Sequence, residues 1–174
     1  MIDTLVDRSR RILDEAHYAT LATVSRSGEP WSSAVHYIWL HDPLRMLFSS
    51  VNDSRHSRNV ADHPLISGSL FITGVSNEIP IATVDGAQFV GTCAEVPQAE
   101  LQEYHARFFE AALPDPELRQ TWMLPQSAFR PPRAHRLYLI TITRWWIIDL
   151  STWAEDKIDR RIEVPASELP RITP

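Results

Sequence analysis

Cysteine and lysine are nearly absent from this chain of 174 residues, which also has only five glycines. The single cysteine, Cys93, has no second thiol to pair with, so an intramolecular disulfide is impossible and a reducing compartment, the cytoplasm, is the expected location. The single lysine, Lys157, argues against a lysine Schiff base and leaves anion binding to arginine, histidine and backbone amides. The length and the 44% hydrophobic content are typical of one globular domain with a substantial core.

Basic residues are outnumbered by acidic ones, 17 to 22, which gives a formal net charge of -5. Nucleic acid is therefore not the expected partner, because phosphate neutralisation normally requires a basic face. The first residues lack the apolar run of an export signal, and the longest apolar stretch, 138–150, is shorter than a membrane span and contains Arg144. We therefore expect a protein that does not enter a membrane.

Most of the chain has the composition of short β-strands. The segments rich in β-branched and aromatic residues, predicted as strands, are 18–25, 31–40, 45–50, 65–73, 80–83, 87–96 and 137–150, with a turn at 84–86. The segments with helical spacing are 3–16, 54–61 and one that begins at Pro97 and buries Leu101, Tyr104, Phe108 and Leu113. A proline-bearing crossover over 114–136 contains one helical turn at 117–122.

This order predicts a mainly β protein with helices, an antiparallel barrel of six or seven strands with two or three helices. We assign the barrel domain to residues 1–153 and a charged, proline-bearing tail to 154–174. The seven histidines show none of the close spacing typical of zinc sites, so no metal site is predicted.

A candidate anion-binding site lies where the second predicted helix begins. A helix N-terminus offers unpaired amides and a partial positive charge, which favour phosphate. Arg55 adds a planar fork for phosphate, Ser49, Ser50 and Ser54 add hydroxyl groups, and His56 adds a further donor. These residues predict a phosphate-binding cradle; a solvated, well-capped helix start is the alternative interpretation.

The motif around this helix start resembles that of the pyridoxamine 5′-phosphate oxidase-like flavoproteins, which have a split β-barrel fold. The likeness covers about residues 18–96 and is most specific over 47–64, where Ser54-Arg55-His56 is followed by Asn59 and Pro64. The turn Gly28-Glu29-Pro30 fits the same pattern. The run Gly86-Ala87-Gln88-Phe89-Val90-Gly91 is similar to one in a small branch of that superfamily.

The resemblance implies an FMN-binding protein whose isoalloxazine ring lies along the second strand. The residues it implies beside the ring are Ser33, Ala34, Val35 and His36, with Gln88 reaching the ring from a paired strand. The family usually has arginine at the position of Ser33 and lysine at that of His56, so the resemblance implies a weaker hold on phosphate here, or a different ligand.

The resemblance also implies a homodimer with the ligand cleft between the subunits, since that arrangement is usual in the family. The late strands carry more apolar and aromatic residues than the interior of one small barrel needs. These residues are Phe89, Tyr138, Trp145, Trp146 and Ile148. Because side chains alternate along a strand, one of Trp145 and Trp146 is expected in the core and the other at an interface.

Three functions remain open from the sequence. The first is an FMN-dependent oxidoreductase acting on an unknown small molecule, in which the cofactor does the chemistry and no catalytic side chain is assigned. The second is a non-catalytic binding module or carrier for flavin, deazaflavin or haem on the same barrel. The third is an enzyme that has lost the flavin and uses the cleft for another small ligand.

Overall fold

Seven strands and five α-helices form the described part of the computed structural model, which comprises residues 4–41, 43–73, 84–149, 151 and 153–169. The strands are β1 Tyr18–Val24, β2 Pro30–Leu40, β3 Arg45–Val51, β4 Leu65–Thr73, β5 Val84–Glu95, β6 His135–Ile148 and β7 Arg161–Val164. The helices are α1 Leu5–Glu15, α2 Arg55–Asp62, α3 Leu101–Ala112, α4 Pro116–Trp122 and α5 Trp153–Asp156, with 3₁₀ turns at Gln126–Phe129 and Ala166–Glu168. None of the helices in these ranges is long and apolar enough to cross a membrane.

Six of the strands close an antiparallel barrel. Their order is β3-β2-β1-β4-β5-β6, and a pairing between β3 and β6 joins the two edges. β6 has 14 residues, so its first half pairs with β3 while its second half pairs with β7 outside the closed ring. The predicted mainly β barrel with helices is therefore confirmed. The helical turn predicted at 117–122 is α4, and α5 is added to the helices that the sequence predicted.

Two apolar cores lie on opposite sides of the barrel wall. The interior core includes Leu21, Met46, Phe48 and Trp145, and α1 packs against it through Ile12. The second core lies outside the wall, where α3 covers Ile38, Leu47 and Leu137 through Leu101, Phe108 and Phe109. Side chains of β2 and β3 therefore contribute to both cores, because successive side chains point to opposite faces of a strand.

Helix α1 is held on the barrel by the buried carboxylate of Asp85. Its first turn has a capping box, in which Thr4 and Asp7 exchange hydrogen bonds. One turn later, Arg8 donates from Nε and Nη2 to the two carboxylate oxygens of Asp85, at 3.1 and 2.8 Å. Ser9 accepts a hydrogen bond of 3.0 Å from the indole of Trp145. The helix therefore covers one end of the barrel through polar contacts as well as apolar ones.

Two sequence predictions are wrong at strand and helix boundaries. The predicted turn at 84–86 is strand, since Asp85 pairs with Ile72 and Gly86 with Phe71. A Cβ at Gly86 would lie 2.6 Å from the Leu70 carbonyl oxygen. Glycine is therefore needed here because β4 and β5 approach each other closely, and not because the chain turns. Helix α3 begins at Leu101 and not at Pro97, with a turn between them and Leu113 only half-buried after its end. The predicted strand at 80–83 lies outside the described residues.

The region predicted as a tail contributes a strand to the sheet. β7 pairs with β6, with Val164 opposite Trp145 and Ile162 opposite Ile147. Val164 and Leu169 both belong to the interior core. The sequence signal missed here is the alternation of Arg161, Ile162, Glu163 and Val164, which is short and follows a charged stretch.

Candidate functional site

Helix α2 is placed on the barrel by its cap and by one buried amide. Ser54 is the N-cap residue, and its hydroxyl accepts a hydrogen bond of 3.3 Å from the amide of Ser57. Asn59 is buried and donates from Nδ2 to the Thr23 hydroxyl on β1, at 3.0 Å. The N-terminus of α2 is thereby directed at the ends of β2 and β3, where two further serines lie.

The imidazole of His56 joins two strands through hydroxyl groups. Its Nε2 atom lies 2.8 Å from Ser50 Oγ, at the end of β3, and its Nδ1 atom lies 3.1 Å from Ser33 Oγ on β2. Ser54 Oγ is 3.4 Å from Ser50 Oγ. All four residues are half-buried. We call Ser33, Ser50, Ser54 and His56 the serine–histidine cluster.

The protonation of His56 is set by its burial. Removal of the ring from water lowers its pKa below the ordinary value of 6.5, since burial disfavours the charged form. A neutral imidazole accepts a hydrogen bond at one nitrogen and donates at the other, which suits one hydroxyl on each side. In the free protein at neutral pH the cluster is therefore an uncharged set of donors and acceptors.

Arg55, next to His56, is directed away from the cluster. Its Nη2 atom lies 2.5 Å from Glu29 Oε2, in the turn before β2, and its guanidinium stacks over the Trp31 ring at 4.4 Å from the ring centroid. The turn is formed by Gly28, whose φ of 85° favours glycine. Arg55 and Glu29 line an open cleft of about 690 Å³ that also contains Arg58. The charges in this cleft are therefore already partly compensated.

The other residues predicted beside a flavin ring point in different directions. Ser33 and Val35 share the interior face of β2, and Val35 is buried in the core. Ala34 and His36 lie on the opposite face. His36 contacts the rings of Tyr18 and Phe108, and burial, together with repulsion from His17, lowers its pKa.

Ser49 and Gln88 are not part of the cluster. Ser49 lies on the face of β3 opposite to Ser50. In the register of β3 and β6 it is opposite Leu137, which belongs to the second core outside the barrel wall. Gln88 is exposed on the outer face of β5, between Ser69 and Trp146 in register. β5 is three strand positions from β2, the strand that carries Ser33. The two strands are therefore about 14 Å apart around the barrel wall.

Two further hydroxyl groups, those of Ser57 and Tyr138, lie next to the cluster. The Ser54 hydroxyl donates to Ser57 Oγ at 2.8 Å, and Ser57 and Tyr138 line the same pocket. Burial raises the pKa of Tyr138, so its hydroxyl stays protonated. Sequence reasoning missed Ser57 and Tyr138; the three-residue spacing of Ser54 and Ser57 is a capping signal that could have indicated the first of them.

The outer face of the barrel carries an exposed apolar surface. Its large exposed side chains are Tyr18 on β1 and Leu65 and Phe71 on β4, between which lie small residues. A groove of about 440 Å³ crosses this face between Ala22, Ser67 and Val90. Of the five apolar residues predicted to be surplus to the barrel interior, Phe89, Tyr138 and Trp145 are buried inside it, whereas Trp146 and Ile148 are partly exposed.

The sequence matches a known family over most of its length. The profile of the pyridoxamine 5′-phosphate oxidase family matches residues 5–149. The chain therefore belongs to this family, and the resemblance inferred from the helix-start motif is confirmed. A comparison with curated proteins gives no match.

Solved structures share the fold at low sequence identity. The haem-binding protein from Mycobacterium smegmatis is 16% identical with a TM-score of 0.69, and the match covers 97% of this chain and 61% of that one. The Agrobacterium tumefaciens protein Atu2129 is 23% identical with a TM-score of 0.61, over 82% of this chain and 55% of that one. An FAD-binding protein from Mesorhizobium loti is 14% identical with a TM-score of 0.59, over 82% and 92%.

This chain therefore spans less than two thirds of the length of the Mycobacterium and Agrobacterium proteins. At these identities the likeness shows the fold alone. The ligands of the neighbours differ, since one is described as binding haem and another as binding FAD.

Proposed function

We propose that this protein binds FMN and acts as an FMN-dependent oxidoreductase on a small molecule. The observation that carries the proposal is the convergence of three serine hydroxyls and one imidazole at the N-terminus of α2. A phosphate group needs several donors on one side, and hydroxyls beside the first amides of a helix supply them. The donor set of the cluster fits a 5′-phosphate.

The protein's own residues would hold and orient the bound FMN. FMN, when bound, supplies hydride or electron transfer, and the protein binds it and excludes water. Ser33, Ser50 and Ser54 would hold the phosphate. Ala34 is small and exposed, so a planar ring can approach the outer face of β2 next to it. Gln88, about 14 Å away around the wall, would reach such a ring only from a second copy of the chain.

A non-catalytic carrier for flavin, deazaflavin or haem is the second candidate. It is favoured by the pairing of Arg55 with Glu29, which leaves the cluster without a dedicated cation. The haem-binding neighbour from Mycobacterium smegmatis has the same fold. Absorption spectra of the purified protein, alone and after addition of FMN, a 5-deazaflavin or haemin, distinguish the two candidates when followed by a reduction assay of the bound group.

Removal of the Ser50 hydroxyl is expected to weaken FMN binding. One lost hydrogen bond contributes about 0.5–1.5 kcal/mol, so we expect the Kd of FMN to rise about two- to tenfold in Ser50→Ala. Quenching of flavin fluorescence measures this Kd. Ser49→Ala is the matched control, since Ser49 lies on the opposite face of the same strand, and its Kd should equal that of the parent. Equal losses in both variants would contradict the assignment of the phosphate to this cluster.

We also propose that two copies associate through the outer face, in a protein located in the cytoplasm. The support for association is the exposure of Tyr18, Leu65 and Phe71 around a face of small residues, an arrangement typical of contact surfaces. Support for the location is the burial of the single cysteine, Cys93, whose thiol has no partner for a disulfide.

A charge on this face is expected to prevent association. Light scattering of the parent should give twice the 19.9 kDa of one chain, and Phe71→Arg should give the mass of one chain at micromolar concentration. An arginine buried in an apolar interface without a partner is strongly unfavourable. Leu118→Arg, on an exposed helix elsewhere, is the control and should leave the mass unchanged. A parent that scatters as one chain would refute the proposed dimer.

A further inference from the structure

We infer that the serine–histidine cluster binds a phosphate ester together with one proton. At neutral pH and above, it therefore binds the phosphorylated and the unphosphorylated ligand with about equal affinity. The inference rests on the proposed flavin function and concerns which form of the ligand the site selects. The specificity-determining residue is His56.

The described arginines on the elements that carry the cluster are committed to other partners. On α2, Arg55 is paired with Glu29, and Arg58 donates to the backbone carbonyl of Asp53. On β6, Arg136 is opposite Ser50 in register. Its guanidinium is paired with Glu95 at 2.9 Å and also donates to the carbonyl oxygens of Arg133 and His135.

In the part of the chain that the structure describes, the strands packed on α2 face the cluster with uncharged groups. Under the helix, β1 presents Thr23, which accepts from Asn59. β3 presents Phe48, whose ring centroid is 6.1 Å from that of His56. β5 presents the buried thiol of Cys93, and burial raises its pKa to about 12. Within the described residues, His56 is therefore the group at the cluster whose charge can change near neutral pH.

The hydrogen bonds that the His56 ring can make depend on its protonation. A neutral imidazole has one accepting nitrogen, and a phosphate oxygen facing that nitrogen would meet a lone pair. The hydroxyls of Ser33 and Ser50 can satisfy either nitrogen because each of them can donate or accept. An alcohol of the ligand has the same freedom. An uncharged hydroxyl end therefore fits the cluster with the ring neutral, whereas an ionised phosphate, which only accepts hydrogen bonds, gains a further donor and a favourable charge when both ring nitrogens are protonated.

Phosphate binding and protonation of His56 are thermodynamically linked. In the free protein, burial keeps the pKa of His56 below 6.5, and a bound phosphate raises it because the opposite charge favours the imidazolium. Phosphate binding then takes up a proton between these two pKa values. The affinity for the phosphorylated ligand is greatest below the free-protein pKa and falls as pH rises through the bound-state pKa, by up to about tenfold per pH unit.

The test compares flavins that differ only in the terminal group. We would measure the Kd values of riboflavin, FMN and riboflavin 5′-sulfate from pH 5.5 to 8.5 at fixed ionic strength. The ratio of the riboflavin Kd to that of each ester cancels pH effects common to all three ligands. The sulfate ester does not titrate in this range, so it separates protonation of His56 from that of the phosphate, whose second pKa is near 6.

For the parent, the ratio for the sulfate ester should fall at least tenfold from pH 5.5 to 8.5 and approach one at the alkaline end. In His56→Gln, which keeps a donor without a titratable charge, the ratio should be flat. A flat profile in the parent, or the same slope in both proteins, would overturn the inference.

Failure of the proposed function gives a different result. If neither riboflavin nor FMN binds at any pH, the flavin proposal fails, and the inference is decided by inorganic phosphate as the probe. The His56 ring signal, assigned by its loss in His56→Gln, is titrated by NMR with and without phosphate. A rise in its pKa with phosphate supports proton-coupled anion binding, and an unchanged pKa overturns it.

Discussion

Replacement of Asp85 by alanine is expected to lower the free energy of unfolding by about 3–5 kcal/mol, the range found when one partner of a buried ion pair is removed. Asp85 is almost fully buried on β5. It accepts two hydrogen bonds from Arg8 and one of 3.3 Å from Arg11. Its loss would leave the guanidinium of Arg8 buried, with the Ile148 carbonyl as its remaining hydrogen-bond acceptor among the described residues.

Urea-induced unfolding at one protein concentration measures this change. The matched control is Glu163→Ala, which removes the bidentate but exposed pair with Arg144. A much smaller loss is expected there, because exposed ion pairs are screened by water and salt. The double variant Arg8→Met with Asp85→Leu should recover part of the stability that Asp85→Ala loses, since no buried charge of the direct pair remains. A loss below about 1 kcal/mol in Asp85→Ala would refute the structural importance of this pair.

Replacement of Trp145 by alanine is expected to cost about 3–5 kcal/mol, as is usual for truncation of a large core aromatic residue. Trp145 is 0% exposed, stacks with Phe89 at a centroid distance of 6.4 Å and donates its indole N–H to Ser9. The variant therefore creates a cavity and also removes the donor to a buried hydroxyl on α1.

The adjacent tryptophan provides the control. Trp146 lies on the outer face of β6, half-buried beneath the guanidinium of Arg144 at 4.5 Å. Trp146→Ala should change the free energy of unfolding by less than about 1 kcal/mol, as expected for a partly exposed side chain. Denaturant curves of the two variants compare the faces of one strand directly. Equal losses would contradict the register of β6 against β5 and β7.

The helix-start motif shows how far local sequence reasoning reaches into the site. Ser54 was a predicted cap and is the N-cap of α2. The neighbouring residues Arg55 and His56 were both predicted to bind an anion, but the structure directs them to different partners. Arg55 contacts Glu29 and Trp31, whereas His56 contacts Ser33 and Ser50. Adjacent helix positions point about 100° apart, so tertiary surroundings decide which of them faces the strands.

For the strands too, local sequence patterns predict some features and long-range contacts decide others. Alternation in β1, β2, β3 and β6 is visible in the sequence, because one face of each strand must be apolar to cover a core. The path of β5 through Asp85 and Gly86 was not visible, because an aspartate followed by glycine is typical of turns. The structure makes this pair strand because Arg8, 77 residues away, satisfies the buried carboxylate.

By itself the sequence determined the fold class, the family resemblance and the α2 helix start, because all three depend on local alternation, capping and short motifs. Tertiary structure alone decided which hydroxyls meet at His56, that Gln88 lies strands away from them, and that β7 completes the sheet. These are contacts between residues far apart in the chain, and they depend on strand register and barrel closure. A shift of one residue in register would turn Ser33 and Ser50 away from His56, although the local sequence signals would be the same.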